Sequence, residues 1–172
     1  MSFLGRLLGT SRDPREEWRP LWHEVVRVSR EPEWYAQCDV ADSIDGRFDM
    51  ISVVLSLALL RMERDEALAP ATAYLTELFV EDMDRQLRET GVGDLMVGKN
   101  IGKLMAALGG RLGALRETLA TSDDAPLAEA LARNVALVGD AAPRALAARV
   151  RLMHYELATA DAVQLKAGRL RR

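Results

Sequence analysis

The stretch from Glu81 to Glu89 concentrates acids and bases: Glu81, Asp82, Asp84, Arg85, Arg88 and Glu89. Glu81–Arg85 and Asp84–Arg88 stand four apart with the acid first, the favoured order for ion pairs along a helix. A solvated face is one reading, with each exposed pair worth well under about 1 kcal/mol. A sharper reading notes that Leu78, Asp82, Arg85 and Glu89 share one helical face beside an apolar stripe. Charges there are partly buried and must be paired. A second cluster, Asp45-Gly46-Arg47-Phe48-Asp49, stands at the start of a strongly apolar run and is expected to meet the first through Arg47 or Asp49. Paired carboxylates also suggest a metal or acid–base chemistry. A di-iron bundle, however, wants Glu-x-x-His steps, and neither His23 nor His154 follows a glutamate at that spacing. No Gly-x-Ser-x-Gly elbow occurs. The chain is therefore read as a non-enzyme with no metal and no cofactor.

Gly93-Asp-Leu-Met-Val-Gly98-Lys99 has the spacing of a phosphate-binding loop. That motif needs a strand before it and a Ser or Thr after the lysine. Here a helix precedes it and Asn100 follows, so it reads as a turn in which Asp94 caps the next helix. Lys99 then sits near the positive end of that helix, against the dipole. It either pairs with an acid or faces a partner. Cys38, the single cysteine, reads as a small buried hydrophobe. Each histidine reads as a helix-surface residue. Trp34 and Tyr35 fall on a turn after Pro32, as core plugs or as exposed anchors for a partner.

The elements that must position these groups are helical throughout. In 172 residues, 49% are apolar and 28% charged, which describes one globular domain. The net charge of −3 gives no electrostatic drive toward nucleic acid. The longest apolar run, Met50 to Leu60, is short of the about 20 residues a membrane helix needs. The N-terminus lacks a secretory cleavage site. Trp18, Leu21, Trp22 and Val25 place a helix over 14–30, ended by Pro32. A helix apolar on all sides follows at about 46–64, started by Asp42 or Asp45, and such a helix lies at a domain's centre. A third begins near Pro70 and stops at Gly91.

The fourth carries Val97, Ile101, Leu104, Leu108, Leu112, Leu115 and Leu119, together with Gly98, Gly102, Gly109, Gly110 and Gly113. Each glycine costs about 1 kcal/mol against alanine in a helix. The reading is that another helix approaches closely at Gly98/Gly102 or Gly109/Gly113, or that the helix kinks at Gly109-Gly110. Two further helices start at Ser122-Asp-Asp124 and near Pro143. The expectation is an all-α, single-domain bundle of about six helices around the central apolar helix at about 46–64. Residues 14–168 form the domain. A segment at 1–13, with Phe3, Leu4, Leu7 and Leu8, is flexible or amphipathic, and residues 169–172 are a basic tail.

Leu21-Trp-His-Glu-Val-Val, Ser29-Arg30-Glu-Pro32-Glu-Trp-Tyr35, Val40 to Met50, and Asp82 to Lys99 resemble the ubiquinol–cytochrome c chaperone family over roughly residues 20 to 155, with Arg133-Asn134 a later match. The resemblance implies an assembly factor for respiratory complex III that holds newly made cytochrome b, or another component of the complex, alongside a small partner subunit. It would act on the cytoplasmic side of the inner membrane, with peripheral membrane contact. Asp45, Arg47, Asp49, Asp82, Asp84, Arg85, Arg88, Glu89, Asp94 and Lys99 are then the charged rim of an apolar groove or its scaffold, with Trp34 and Tyr35 as anchors. Two rivals stay open: a metal- or cofactor-binding helical domain using the Asp/Glu cluster, and a scaffold or regulator with a soluble partner.

Overall fold

The computed structural model describes residues 13–89, 91, 94–140 and 142–170, with residues 94 and 95 described by their backbone. The segment at 1–12 and the last two residues of the basic tail lie outside them. A 3-10 turn, Pro14–Trp18, opens the described chain, and Asp13 caps it. It leads into α1 (Arg19–Ser29). Trp34 and Tyr35, expected on a turn, instead lie in a short helix, α2 (Pro32–Gln37). Pro32 sits at its first helical positions, where its ring angle suits a helix start and its missing N–H costs nothing.

Helix α3 (Ile44–Glu63) is the apolar helix of the sequence. Ser43, and neither neighbouring aspartate, caps it through a bond from Gly46 N to Ser43 Oγ of 3.1 Å. Every residue from Asp49 to Leu60 is buried. Helix α3 packs against α1, α4, α5 and α7. A 3-10 turn at Ala69–Ala71 carries Pro70 and leads into α4 (Thr72–Glu89). Gly91, at φ 82°, takes the left-handed conformation that ends it. Then follow α5 (Asp94–Leu119), α6 (Asp124–Asn134), α7 (Arg144–Ala158) and α8 (Ala162–Lys166). The described residues thus form an all-α bundle with six helices of eleven residues or more.

The glycines of α5 do not behave as expected. The helix runs unbroken from Asp94 to Leu119. A Cβ built at Gly98, Gly102, Gly109, Gly110 or Gly113 would meet nothing within 4 Å. Among the described residues no other helix comes close there, because α5 packs through Val97, Leu108, Arg111, Leu115 and Leu119 instead. The helix cost of these glycines has no return inside the domain.

Close backbone approach does occur at Gly46, where a Cβ would stand 2.0 Å from the Ala41 carbonyl oxygen. The loop carrying Ala41 is strapped across to the α6–α7 segment. Ala41 N donates to Ala136 O at 2.9 Å, Val138 N donates to Asp39 O at 2.7 Å, and Val40 and Leu137 form an isolated antiparallel bridge. Gly46→Ala is therefore expected to lower the unfolding free energy by about 2–4 kcal/mol in urea titration, because backbone has to move. Gly102→Ala is expected to raise it by up to about 1 kcal/mol.

Candidate functional site

The two acid–base clusters of the sequence do different work. Asp49 is buried on α3 and pairs with Arg111 of α5. Arg111 Nε donates to the Asn134 carbonyl at 2.8 Å, and Ala136 N donates to Asp49 Oδ2 at 2.9 Å. The guanidinium also lies over the Phe48 ring at 5.6 Å. One ion pair thus joins α3, α5 and the end of α6. Burial pushes the Asp49 carboxyl up, against the Ala136 N–H and the Arg111 charge, and pulls Arg111 down. Arg47, the other base of this cluster, turns outward to Asp42 at 2.7 Å, and Asp45 is exposed. Neither Arg47 nor Asp49 carries the expected link to the 81–89 cluster. Asp49 lies too deep, and Arg47 is taken by its own loop.

The 81–89 cluster lines a cleft of about 800 Å³ between α1 and α4. Trp22, Val26 and Leu78 supply its apolar lining. Arg19, Arg27 and Arg30 stand on one rim, and Glu81, Asp82, Arg85 and Glu89 on the other. Trp22 meets Phe79 edge-on at 6.0 Å, which sets how closely the two helices approach. Most rim charges are paired along their own helix. Asp82 bonds Arg85, and Gln86 Nε2 donates to Asp82 at 3.3 Å. Arg27 bonds Glu24 at 2.6 Å. Glu81 takes Arg15 at 2.9 Å rather than Arg85. Asp84–Arg88 forms as the spacing predicts, at 2.7 Å, on the side of α4 away from the cleft lining.

The remaining predicted residues scatter. Trp34 is fully buried, its Nε1 donating to Val28 O at 2.7 Å and its ring covered by the Arg149 guanidinium at 4.4 Å, so it is a core plug. Tyr35 is half-buried, donates to Ser29 O at 2.8 Å, and lines a second cleft of about 510 Å³ with Arg30, Asp42 and Arg47. Lys99 is exposed on α5, with no acid bonded to it among the described residues. Asp94 opens α5, but its side chain lies outside the described residues. Among the described residues no three His, Cys, Asp or Glu side chains gather closely enough to hold a metal, and no helix is long and apolar enough to cross a membrane.

Arg111 and His154 are among the buried groups that went unread. Arg111 falls three after Leu108 and four before Leu115, a charge on the apolar stripe, and that is the signal that would have found it. His154, expected on the surface, is buried on α7 beside Arg64, whose Nη2 stands 3.2 Å from its Nε2. Burial, then the Arg64 and Arg151 charges, hold its imidazole below the ordinary value.

A helical bundle that keeps its charged motifs paired around an open, partly apolar cleft has the build of a binding module. The comparisons narrow that class. Residues 36–169 match the family model described as Ubiquinol-cytochrome C chaperone, and the chain belongs to that family. A solved structure, the crystal structure of the Cbp3 homolog from Brucella abortus, shares 31% identity and a TM-score of 0.78, over 97% of this chain and 94% of that one. No curated protein matches the chain.

Asp49→Ala strands the Arg111 charge in the interior and is expected to cost about 3–5 kcal/mol of stability in chemical denaturation, whereas an exposed pair such as Asp42–Arg47 costs at most about 1 kcal/mol when broken. His154 gives a second expectation. Its folded pKa lies below the unfolded value, so the unfolded chain binds the extra proton first. The stability is fully present above about pH 6.5 and falls as the pH drops below it. Melting temperature followed from pH 7.5 to 5 should show this loss, and His154→Gln should flatten it.

Proposed function

We propose that this chain is a non-enzymatic assembly chaperone for respiratory complex III that holds newly made cytochrome b at the inner membrane. A small partner subunit and peripheral contact with the bilayer belong to the same proposal. The observation that carries it is the α1–α4 cleft in a chain of this family: a charged rim open to solvent around half-buried Val26, with Trp22 and Leu78 buried at its floor. An apolar client segment gains by covering half-buried Val26, and the rim meets the polar ends of that segment. Because most of the rim charges already have a neighbour of opposite sign, the client need not supply ions to a dry site, and release stays easy. Asp82, Arg85 and Glu89 take the rim role. Asp49 takes the scaffold role.

The outward face of α5 supports the same reading. Small residues let a second helix approach backbone to backbone. Here Gly98, Gly102, Gly109 and Gly113 lie on one side of α5 with half-buried Met105 and Leu112 beside them, and no neighbour in this chain uses that opportunity.

Two measurements test the proposal. Removing the gene should cut the haem b of complex III in membrane difference spectra about tenfold; normal levels would overturn the assignment. A photo-crosslinking residue placed at Val26 or Gln86 should capture cytochrome b during its synthesis, while the same residue at Ala145, on the exposed side of α7, should not.

A further inference from the structure

We propose that the cleft between the end of α1, helix α2 and the first turn of α3 binds a phosphate group through Arg30 and Arg47, with the Tyr35 ring as its wall. The site stands apart from the client reading. Only the choice between a lipid phosphate and a free one touches the bilayer contact proposed above.

The first observation is convergence. The cleft holds about 510 Å³ and is lined by Arg30, Pro32, Tyr35, Ala36, Asp42 and Arg47. Three elements supply them: Arg30 caps the end of α1, Tyr35 stands on α2, and Arg47 lies in the first turn of α3. Both guanidiniums stand near one hydroxyl. Burial pushes the Tyr35 phenol up, the Arg47 and Arg30 charges act against that rise, and Asp42 adds to it. Tyr35 is itself held in place, because its hydroxyl donates to Ser29 O at 2.8 Å.

The second observation is open donor capacity. Among the described residues nothing is bonded to the Arg30 guanidinium. Asp42 takes Arg47 through Nε alone, at 2.7 Å, which orients the guanidinium and leaves both its Nη groups open. Arg30 and Arg47 against Asp42 leave the lining with an excess of positive charge.

The third is the match of donors to ligand. A carboxylate has two oxygens, and one guanidinium fork satisfies both. A phosphate has oxygens enough for two forks at once, and arginine presents its donors in the planar arrangement that suits it. Small-ligand sites commonly hold about 300–1,000 Å³, so this cleft admits a phosphate together with the group it esterifies. Both arginines are exposed, so binding is weak and falls with added salt. Arg30 also lines the α1–α4 cleft. A phosphate bound beside it sits at the end of that cleft, and a lipid headgroup in this position sets the mouth of the cleft at the bilayer surface.

The test titrates the full ¹⁵N-labelled chain with inorganic phosphate at constant ionic strength. The Nε–H signals of Arg30 and Arg47 should shift together and saturate in the millimolar range, and acetate should act far more weakly. Arg30→Gln or Arg47→Gln should weaken phosphate binding about tenfold, whereas Arg144→Gln, at an exposed site on α7, should leave it unchanged. Both substitutions lie on the surface, so an unchanged melting temperature is expected, and the titration of the unaltered chain does not depend on them. Absence of saturation, an equal response to acetate, or an equal loss in Arg144→Gln overturns the proposal. Vesicles of one-third phosphatidylglycerol then separate the sources. Co-sedimentation that is lost in Arg30→Gln and Arg47→Gln but kept in Arg144→Gln assigns the site to a lipid headgroup. Saturating phosphate shifts with no such change in co-sedimentation assign it to a free phosphate compound. A saturating site with no cytochrome b crosslink keeps this inference and removes the client reading; the reverse pair of results removes only the phosphate site.

Discussion

The rest of the structure depends on one buried charge pair. Asp49 and Arg111 face each other in a dry interior, where taking two ions out of water costs several kcal/mol each before any attraction is counted. Geometry offsets part of that cost, although Arg111 Nη1 stays buried with no hydrogen-bond partner among the described residues. Arg111 also donates to Asn134 O, and Asp49 also accepts from Ala136 N, so both groups bond backbone as well as each other. The pair adds little to stability over a well-packed apolar substitute. What it supplies is selection among packings, since an α3–α5 register that slides by one turn leaves two uncompensated charges inside the protein. An apolar helix such as α3 carries little register information of its own, because every face is buried and every turn resembles the next. The ion pair removes that ambiguity and thereby fixes where the outward face of α5 points.

The same constraint explains the strap at Asp39–Ala41. Ala136 N reaches Asp49 because its segment is held to the α2–α3 loop by Ala41 N and Val138 N. Gly46 lets that loop press against the first turn of α3, where any Cβ would collide with Ala41 O. A run of motif residues from Val40 to Asp49, left open between charged rim and scaffold, thus builds much of a packed corner. Arg47 and Asp45 alone turn outward from α3 there with their charges.

The fold was legible because helix periodicity and stop signals are local. Pro32, Gly91 and the apolar stripes are read from a few neighbours, and the helices begin and end within a few residues of where those signals stand. Partner choice among charges was not legible. Glu81 has Arg85 at ideal helical spacing, yet takes Arg15 from the turn before α1, because the tertiary fold brings a second arginine within reach. Asp49 and Arg111 lie 62 positions apart, and no local pattern pairs them. Trp34 was left open for a related reason. Its place after Pro32 suited either a core plug or an exposed anchor, and α2 decides for the core by tucking its indole under Arg149, a residue from α7. The α5 glycines show the opposite failure. Their small size was read as evidence for an internal neighbour, while the chain leaves them open.

That last failure bears on what the surface is for. A helix that carries five glycines gives up roughly 5 kcal/mol of intrinsic helix stability relative to alanine, and stability of a whole domain is commonly only about 5–15 kcal/mol. Folding alone would favour alanine at each exposed position. The same comparison does not extend to the α1–α4 cleft, where Trp22 and Leu78 are already buried. The open glycine face lowers the intrinsic stability of α5. On the proposed function, that face is where a second chain lies, with the buried Asp49–Arg111 pair joining α3 to α5 behind it.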